Sequence, residues 1–429
     1  MRAKVLIIGG GVMGTSIALH TARSFDPLKE PVVVLERGDL AGGSSGSSGG
    51  ILRQHYADPV VASMARDSLR EYASFEGRTG RALGFRRPGV LTLAGPSNPG
   101  SVERLLRSVE AQKQIGIHAE MLDAAAIRSR VPGIVVDDRA IAAWEAQGGY
   151  VDSSLCVREF AALARTYGAV TRLGVAITDL VMENGRVVGA ETTEGRYECD
   201  AIVVVTGAWA RSFLGRFGVD VPIRVARVQQ LFVGMPLEED DTESRTEIEG
   251  WSVDLEDPFE QEQERLLTGS DEEQAPGAEH PVVLDLEYGI YVRCELEHKR
   301  TRVAPIAYSP DQIRDEPDPE DRPRPELSEW ARAQLVKRLP IYADQPVLDQ
   351  MVSWFPLTKD GRALIGEVPG YEGLYVAGGF ADHGFKLAPS VGEGVAQMLT
   401  GEPVSAFDPG YFAPDRSAAA GDWSGDSYL

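Results

Sequence analysis

The sequence predicts an α/β protein, and three observations carry the prediction. Near the N-terminus a short apolar run, KVLII (4–8), leads into three glycines and then a helical stretch. A second apolar run follows that helix and ends on an acidic residue. More than three hundred residues later the strand–glycine–helix theme returns as GLYVAGGFADHGFKLAPSVGEG (373–394). Short apolar strands alternating with helices are the pattern of a parallel sheet with crossover helices. At 429 residues the chain exceeds one ordinary core, so two domains are expected.

Taken in order, residues 4–8 read as a buried strand, 11–23 as a helix and 32–35 as the next strand, which makes a βαβ opening. Residues 60–80 are helical in period, 89–95 (GVLTLAG) form a strand, and 101–115 form an amphipathic helix. After GGYVDSS (148–154) a helix runs to about Tyr167. Strands hinged at ENGR (183–186) and EGR (194–196) follow, because turn residues there separate β-rich runs. Residues 201–205 are an apolar strand ending in TGAW. Residues 223–235 and 281–293 read as two strands flanking an acidic segment, and the proline-rich, charged stretch 309–325 reads as a loop. The helix of the late repeat starts near Phe385.

Composition excludes several classes. A hydrophobic fraction of 43% and a charged fraction of 25% suit a soluble globular protein. No stretch reaches the roughly 18 apolar residues of a membrane span, and the N-terminus has no signal-peptide pattern. Cys156, Cys199 and Cys294 lie far apart with no CxxC, which argues against a disulfide framework or zinc site and points to a reducing, cytoplasmic address. No metal-ligand spacing and no Ser/His/Asp arrangement stands out. Residues 236–280 hold 17 Asp and Glu against two Arg, so −15 of the chain's net charge of −22 sits there. Phosphate neutralisation needs a basic face, so nucleic acid is not an expected partner. The acidic segment reads as a solvated excursion, a lid, or a docking surface for a protein partner.

The hexamer Gly9-Gly10-Gly11-Val12-Met13-Gly14 fits G-x-G-x-x-G, directly after a strand and opening a helix. Gly9 allows the tight turn, Gly11 lets the backbone approach a pyrophosphate, and Gly14 lets helix and strand pack closely. The helix start at Val12 and Met13 supplies N–H groups and positive potential. Glu36, 22 residues past Gly14 and followed by Arg37, ends the second strand, where a carboxylate accepts both ribose hydroxyls and repels a 2′-phosphate. An ADP moiety is therefore expected, in FAD or NAD.

Next comes GSSGSSGGILRQHY (43–56), the pattern of an extended loop that passes along a long cofactor and offers N–H and hydroxyl groups. Its candidate contacts are Ser44, Ser45, Ser48, Gly49, Gly50 and Ile51. With AIVVVTGAW (201–209), LTKDGRALIG (357–366) and the late repeat, these blocks make the chain resemble the D-amino-acid oxidase / sarcosine oxidase (DAO) family of FAD-dependent oxidoreductases. The resemblance spans roughly 3–235 and 281–412 and is nearest to sarcosine-oxidase and dimethylglycine-dehydrogenase-like members. It implies FAD rather than NAD. It implies a Rossmann-like FAD-binding domain assembled from 1–88, 150–222 and 345–412, a mixed-sheet substrate domain of α+β type from 89–149 and 223–344, and a tail at 413–429. It places Ile177, Gly207 and Trp209 on the cofactor, and Gly379, His383, Gly384, Phe385 and Lys386 at its flavin end. A helix N-terminus there would stabilise the negative charge of reduced flavin.

The resemblance also implies that Arg53 and Lys386 hold a substrate carboxylate, with His383 and Tyr291 as further candidate catalytic residues. The chain has seven lysines against 36 arginines, so a lysine at 386 stands out. Arginine offers a planar fork and lysine a point charge. The implied reaction is oxidation of an amino-acid C–N bond by hydride transfer to flavin N5. The expected substrate is an N-methyl amine such as sarcosine or dimethylglycine. The alternatives are a D-amino acid, glycine or an opine on the same fold, or a non-catalytic assembly factor that docks through the acidic segment. Ser353 stands where many relatives link FAD through a cysteine, and Gly46-Ser47 where others carry a histidine tether, so noncovalent FAD is expected. Oxidases of the family place an oxygen-activating lysine where Val303, or Arg302 with one gap, stands here. The acceptor is thus oxygen or a redox carrier, and YGIYVR (288–293) leans toward the dehydrogenases.

Overall fold

The computed structural model describes residues 1–236, 279–416 and 423. Most of the acidic segment, and any docking role assigned to it, lies outside the described residues.

The apolar run Val5–Ile8 is wholly buried and forms the centre of a six-stranded sheet. It pairs in parallel with Val32–Glu36 on one side and Ala201–Val204 on the other, with Val5 opposite both Val32 and Ala201. The full order is Leu364–Glu367, Leu374–Gly378, Ala201–Val204, Val5–Ile8, Val32–Glu36, Val170–Leu173. Only Leu364–Glu367 runs antiparallel to its neighbour. The carboxyl ends of the parallel strands therefore open on one edge, where an α/β sheet forms its crevice.

The helices that follow the first and the late glycine turns, Val12–Ser24 and Gly384–Thr400, pack on each other. Their approach needs a glycine, because a Cβ on Gly392 would stand 2.4 Å from Ser16 Oγ. Ser16 donates to the carbonyl of Ala388 at 2.7 Å. Pro389 lies inside the second helix and supplies no N–H to the carbonyl of Phe385. The Tyr72 hydroxyl fills that role, donating to Phe385 O at 2.8 Å. The helix thus keeps its first turn intact over the site.

The second sheet is mixed. Its order is Ile313–Arg314, Ile223–Gly234, Arg300–Pro305, Ile290–Glu295, Val282–Asp285, Val90–Ala94, Ile141–Glu145, Glu120–Asp123. Two sequence expectations are corrected here. Residues 281–293 are two strands, because the Asp285 carboxylate accepts the N–H groups of Glu287 and Tyr288 and bends the chain back. The strand Val347–Thr358, allotted by sequence to the first domain, pairs with Ile223–Gly234 from end to end. Its first four residues are exposed and show no alternation, which hides it from a periodicity reading. Among the described residues no helix is long and apolar enough to cross a membrane.

The Gly/Ser loop lies between the two sheets and is held from the second. Arg302 donates through Nη1 to Ser47 O at 2.6 Å, Gln230 donates to the same carbonyl at 2.8 Å, and Arg293 donates to Gly49 O. Ser44 donates to Trp354 O at 2.6 Å. Glu295 anchors these guanidinium groups, with contacts of 2.7 Å to Arg302, 2.6 Å to Arg300 and 3.5 Å to Arg293. Arg293, Arg302 and Glu295 are all buried, so removing the carboxylate leaves two buried cations uncompensated. Glu295→Ala is therefore expected to destabilise the protein by roughly 3–5 kcal/mol, read as a lowered urea midpoint. An unchanged midpoint would show that the cluster does not hold the loop.

Candidate active site

Two adjoining cavities occupy the crevice edge. The larger, of about 820 Å³, is lined by Gly9, Gly11, Val12, Met13, Glu36, Arg37, Ser44, Ser45, Ser48, Ile177, Gly207, Trp209, Gly384 and Phe385 among others. Gly9 has φ +123°, and a Cβ on it would lie 2.6 Å from Val205 O. Gly14 does not line the cavity. It lets the helix close down, since a Cβ there would meet Gly9 O at 1.9 Å.

Glu36 is oriented by the backbone, its oxygens accepting from Gly10 N at 2.7 Å and Gly38 N at 2.8 Å. Each oxygen retains a second acceptor direction for a ligand hydroxyl. The Val12 N–H, which sequence reasoning left open for a phosphate, is taken by Ser45 Oγ at 3.0 Å. That hydroxyl still has its own proton to donate. The Arg37 guanidinium lies 4.9 Å from the centre of the Trp209 ring, which also packs on Gly43. Thr206 also lines this cavity, and its buried hydroxyl has no hydrogen-bond partner among the described residues. The glycine cradle, the oriented carboxylate and the unsatisfied hydroxyl fit an ADP-bearing cofactor.

The smaller cavity, of about 50 Å³, is lined by Gly49, Gly50, Ile51, Arg53, Tyr291, His383 and Lys386 among others. Ser48, Phe355 and Asp382 border both cavities. Gly49, Gly50 and Ile51, read from the sequence as cofactor contacts, line the smaller cavity, as do His383 and Lys386. Gly379 lines neither; its φ is +76° and a Cβ on it would stand 2.5 Å from Thr358. Gly50, φ +58°, would set a Cβ 2.4 Å from Val151 O, so glycine is required at the loop's exit.

The polar side chains here are almost dry. Arg53 is 3% exposed and Lys386 6%. Arg53 donates to the carbonyl of His55 and lies 4.3 Å from the Tyr56 ring centre. The backbone of its segment is fixed by Glu145, whose carboxylate accepts from Gln54 N at 2.6 Å and is pushed up to about 7 by burial. Lys386 donates to Asp382 O at 2.8 Å and lies 3.4 Å from Asp382 Oδ2. Burial pushes the Lys386 ammonium down to about 8, against the pull of Asp382. Burial works against an ionised Asp382 too, yet His383, Lys386 and Arg53 hold its carboxyl well below the usual range. His383 shares a hydrogen bond with the Tyr56 hydroxyl at 3.0 Å, and burial pushes it down to about 3, so it is neutral at physiological pH. Desolvation also raises the hydroxyl of the half-buried Tyr291.

Sequence reasoning missed Asp382, Phe355 and Glu145. Asp382 carried a signal, a carboxylate four residues before a lysine, which is ion-pair spacing at a helix start. Phe355 and Glu145 lie on strands of the second sheet and carried none.

The arrangement, a dinucleotide cleft opening on a small cationic pocket, agrees with the comparisons. The chain is 24% identical over 411 residues to 4-methylaminobutanoate oxidase (formaldehyde-forming) of Paenarthrobacter nicotinovorans, a match that covers 93% of this chain and 44% of that protein, less than half its length. It is 25% identical over 423 residues to monomeric sarcosine oxidase of Bacillus sp. (strain B-0618), covering 96% of each. In fold it is similar to L-proline dehydrogenase of P. horikoshii, with a TM-score of 0.78 at 21% identity over 96% of this chain and 97% of that one. Residues 4–398 match the pattern of the DAO family, described as FAD dependent oxidoreductase. The chain belongs to that family.

Proposed function

We propose that the protein oxidises the C–N bond of a small amino acid, with noncovalent FAD in the larger cavity and the substrate in the smaller. The observation that supports this best is the pair of buried cations, Arg53 and Lys386, on a pocket that opens beside the cleft. Buried cations of this kind need an anion, and a substrate carboxylate is the one that fits the pocket's chemistry. The flavin, when bound, supplies the hydride acceptor. Arg53 and Lys386 orient the carboxylate, and the dry walls exclude water from the reacting bond. Neutral His383 and Tyr291 offer hydrogen bonds without adding charge. The favoured substrates are N-methyl amino acids such as sarcosine, in keeping with the two relatives above that are named for 4-methylaminobutanoate and sarcosine.

Noncovalent binding is supported by the lining of the larger cavity, which among the described residues contains neither cysteine nor histidine. Ser353, at the position where relatives carry a linking cysteine, is buried and pairs with Gln230 at 3.0 Å. A carrier rather than oxygen is favoured as acceptor, because Arg302 is committed to Glu295, Ser47 and Gln230 and Val303 is buried in the core.

An anaerobic panel of amines and amino acids, followed by flavin absorbance, tests the substrate. Sarcosine is expected to bleach the flavin, and bleaching by D-amino acids alone would overturn the choice. Slow recolouring when air is admitted would favour a dehydrogenase. Lys386 carries its proton below about pH 8 and loses it above. Affinity for methoxyacetate, an amine-free carboxylate, is therefore expected to fall as pH rises through about 8. Lys386→Met should keep FAD, weaken methoxyacetate by about tenfold or more, and lack that step. A variant that retains both affinity and step would show that Lys386 does not hold the anion.

A further inference from the structure

Among the described residues, Asp382 carries the one acidic group that borders both cavities near the two cations. It stands where the substrate's bond to nitrogen must lie if the carboxylate rests on Lys386 and Arg53 and the flavin fills the larger cavity. Its side chain keeps 38% of its surface open, unlike the 6% of Lys386. Its Oδ1 is 3.3 Å from His383 Nδ1 and its Oδ2 is 3.4 Å from Lys386 Nζ. Each oxygen therefore keeps acceptor capacity that these long contacts do not use. Lys386 has three N–H donors, of which one goes to the Asp382 carbonyl and one points at its carboxylate, leaving a third for a ligand. A cation and an anion side by side present the complement of an α-amino acid, whose amine and carboxylate are separated by a single carbon.

Resting on the function proposed above, we infer that Asp382 is the specificity-determining counter-charge for the substrate amine. Its carboxylate accepts an N–H of the substrate nitrogen while Lys386 and Arg53 take the carboxylate. Such a pocket prefers primary and secondary amines. A tertiary amine such as dimethylglycine, once neutral and ready for oxidation, has no N–H to give. Asp382 also sits before the first turn of Gly384–Thr400, next to that helix's N-terminus, which favours its ionised form.

The test compares Asp382→Asn with the wild-type FAD-loaded protein at pH 6, where Lys386 carries its proton. The probes are sarcosine, dimethylglycine and methoxyacetate, the last replacing the sarcosine N–H by an ether oxygen. Dissociation constants come from the concentration dependence of anaerobic flavin bleaching for the two amines, and from flavin absorbance perturbation for methoxyacetate. Asp382→Asn is expected to weaken sarcosine by about tenfold or more, to tighten methoxyacetate, and to erase the wild-type preference for sarcosine over dimethylglycine. Equal weakening of sarcosine and methoxyacetate would mean that Asp382 only positions Lys386, and would overturn the inference. So would no change in either. Failure of sarcosine to bleach the wild-type flavin would overturn the N-methyl reading instead. The isosteric pair glycine and glycolate, both read by absorbance perturbation, then decides on Asp382 by the same opposite shifts. Retained FAD and an unchanged thermal midpoint establish that the variant is folded.

Discussion

Two almost fully buried cations beside one half-exposed carboxylate are the constraint on which the site depends. Burial makes each charge expensive alone, so Arg53, Lys386 and Asp382 have meaning only as a set. Asp382 pairs with Lys386, and Glu145 adds an attraction for Arg53. Lys386, pushed down to about 8, would be held in its charged form by a carboxylate placed beside it, as the proposed substrate would do. Around this set the neighbours are neutral or sequestered. His383 is held uncharged, and Glu145 spends its carboxylate on the backbone beneath Arg53.

Keeping those charges in one place takes distant parts of the chain. Arg53 arrives from the Gly/Ser loop and Lys386 from a helix over three hundred residues later, and strand order brings them together. The late strand Leu374–Gly378 pairs with Ala201–Val204, which in turn pairs with Val5–Ile8, so both glycine turns end on the same edge. The first turn lines the larger cavity. The second delivers Asp382, His383 and Lys386 to the pocket. The loop between them is pinned by Arg293 and Arg302 of the second sheet, whose own charges are matched by Glu295. A second buried charge cluster thus fixes the backbone that carries the first.

The glycine turn of the larger cavity was legible in the sequence because its requirements are local and fall on the backbone. Gly9 and Gly14 are glycine for steric reasons that a hexamer displays, and the strand that ends in Glu36 follows within one βαβ unit. The pocket was legible only in its cations, through resemblance and the scarcity of lysine. Asp382 lay inside a quoted motif, yet its place between two cavities depends on a fold that a linear reading does not contain. Phe355 and Glu145 were further out of reach, since each reaches the site from a strand whose partners are remote in sequence. The break at Asp285 was missed because a side chain there, not a glycine or proline, makes the turn.

The central claim is that the pocket's buried charges receive an amino acid with its carboxylate on Lys386 and Arg53. A crystal structure of the FAD-loaded protein with methoxyacetate bound tests it directly. The account predicts carboxylate oxygens within about 3 Å of Lys386 Nζ and the Arg53 guanidinium, with the ether oxygen on the side of Asp382. A ligand whose carboxylate lies away from both cations would contradict it.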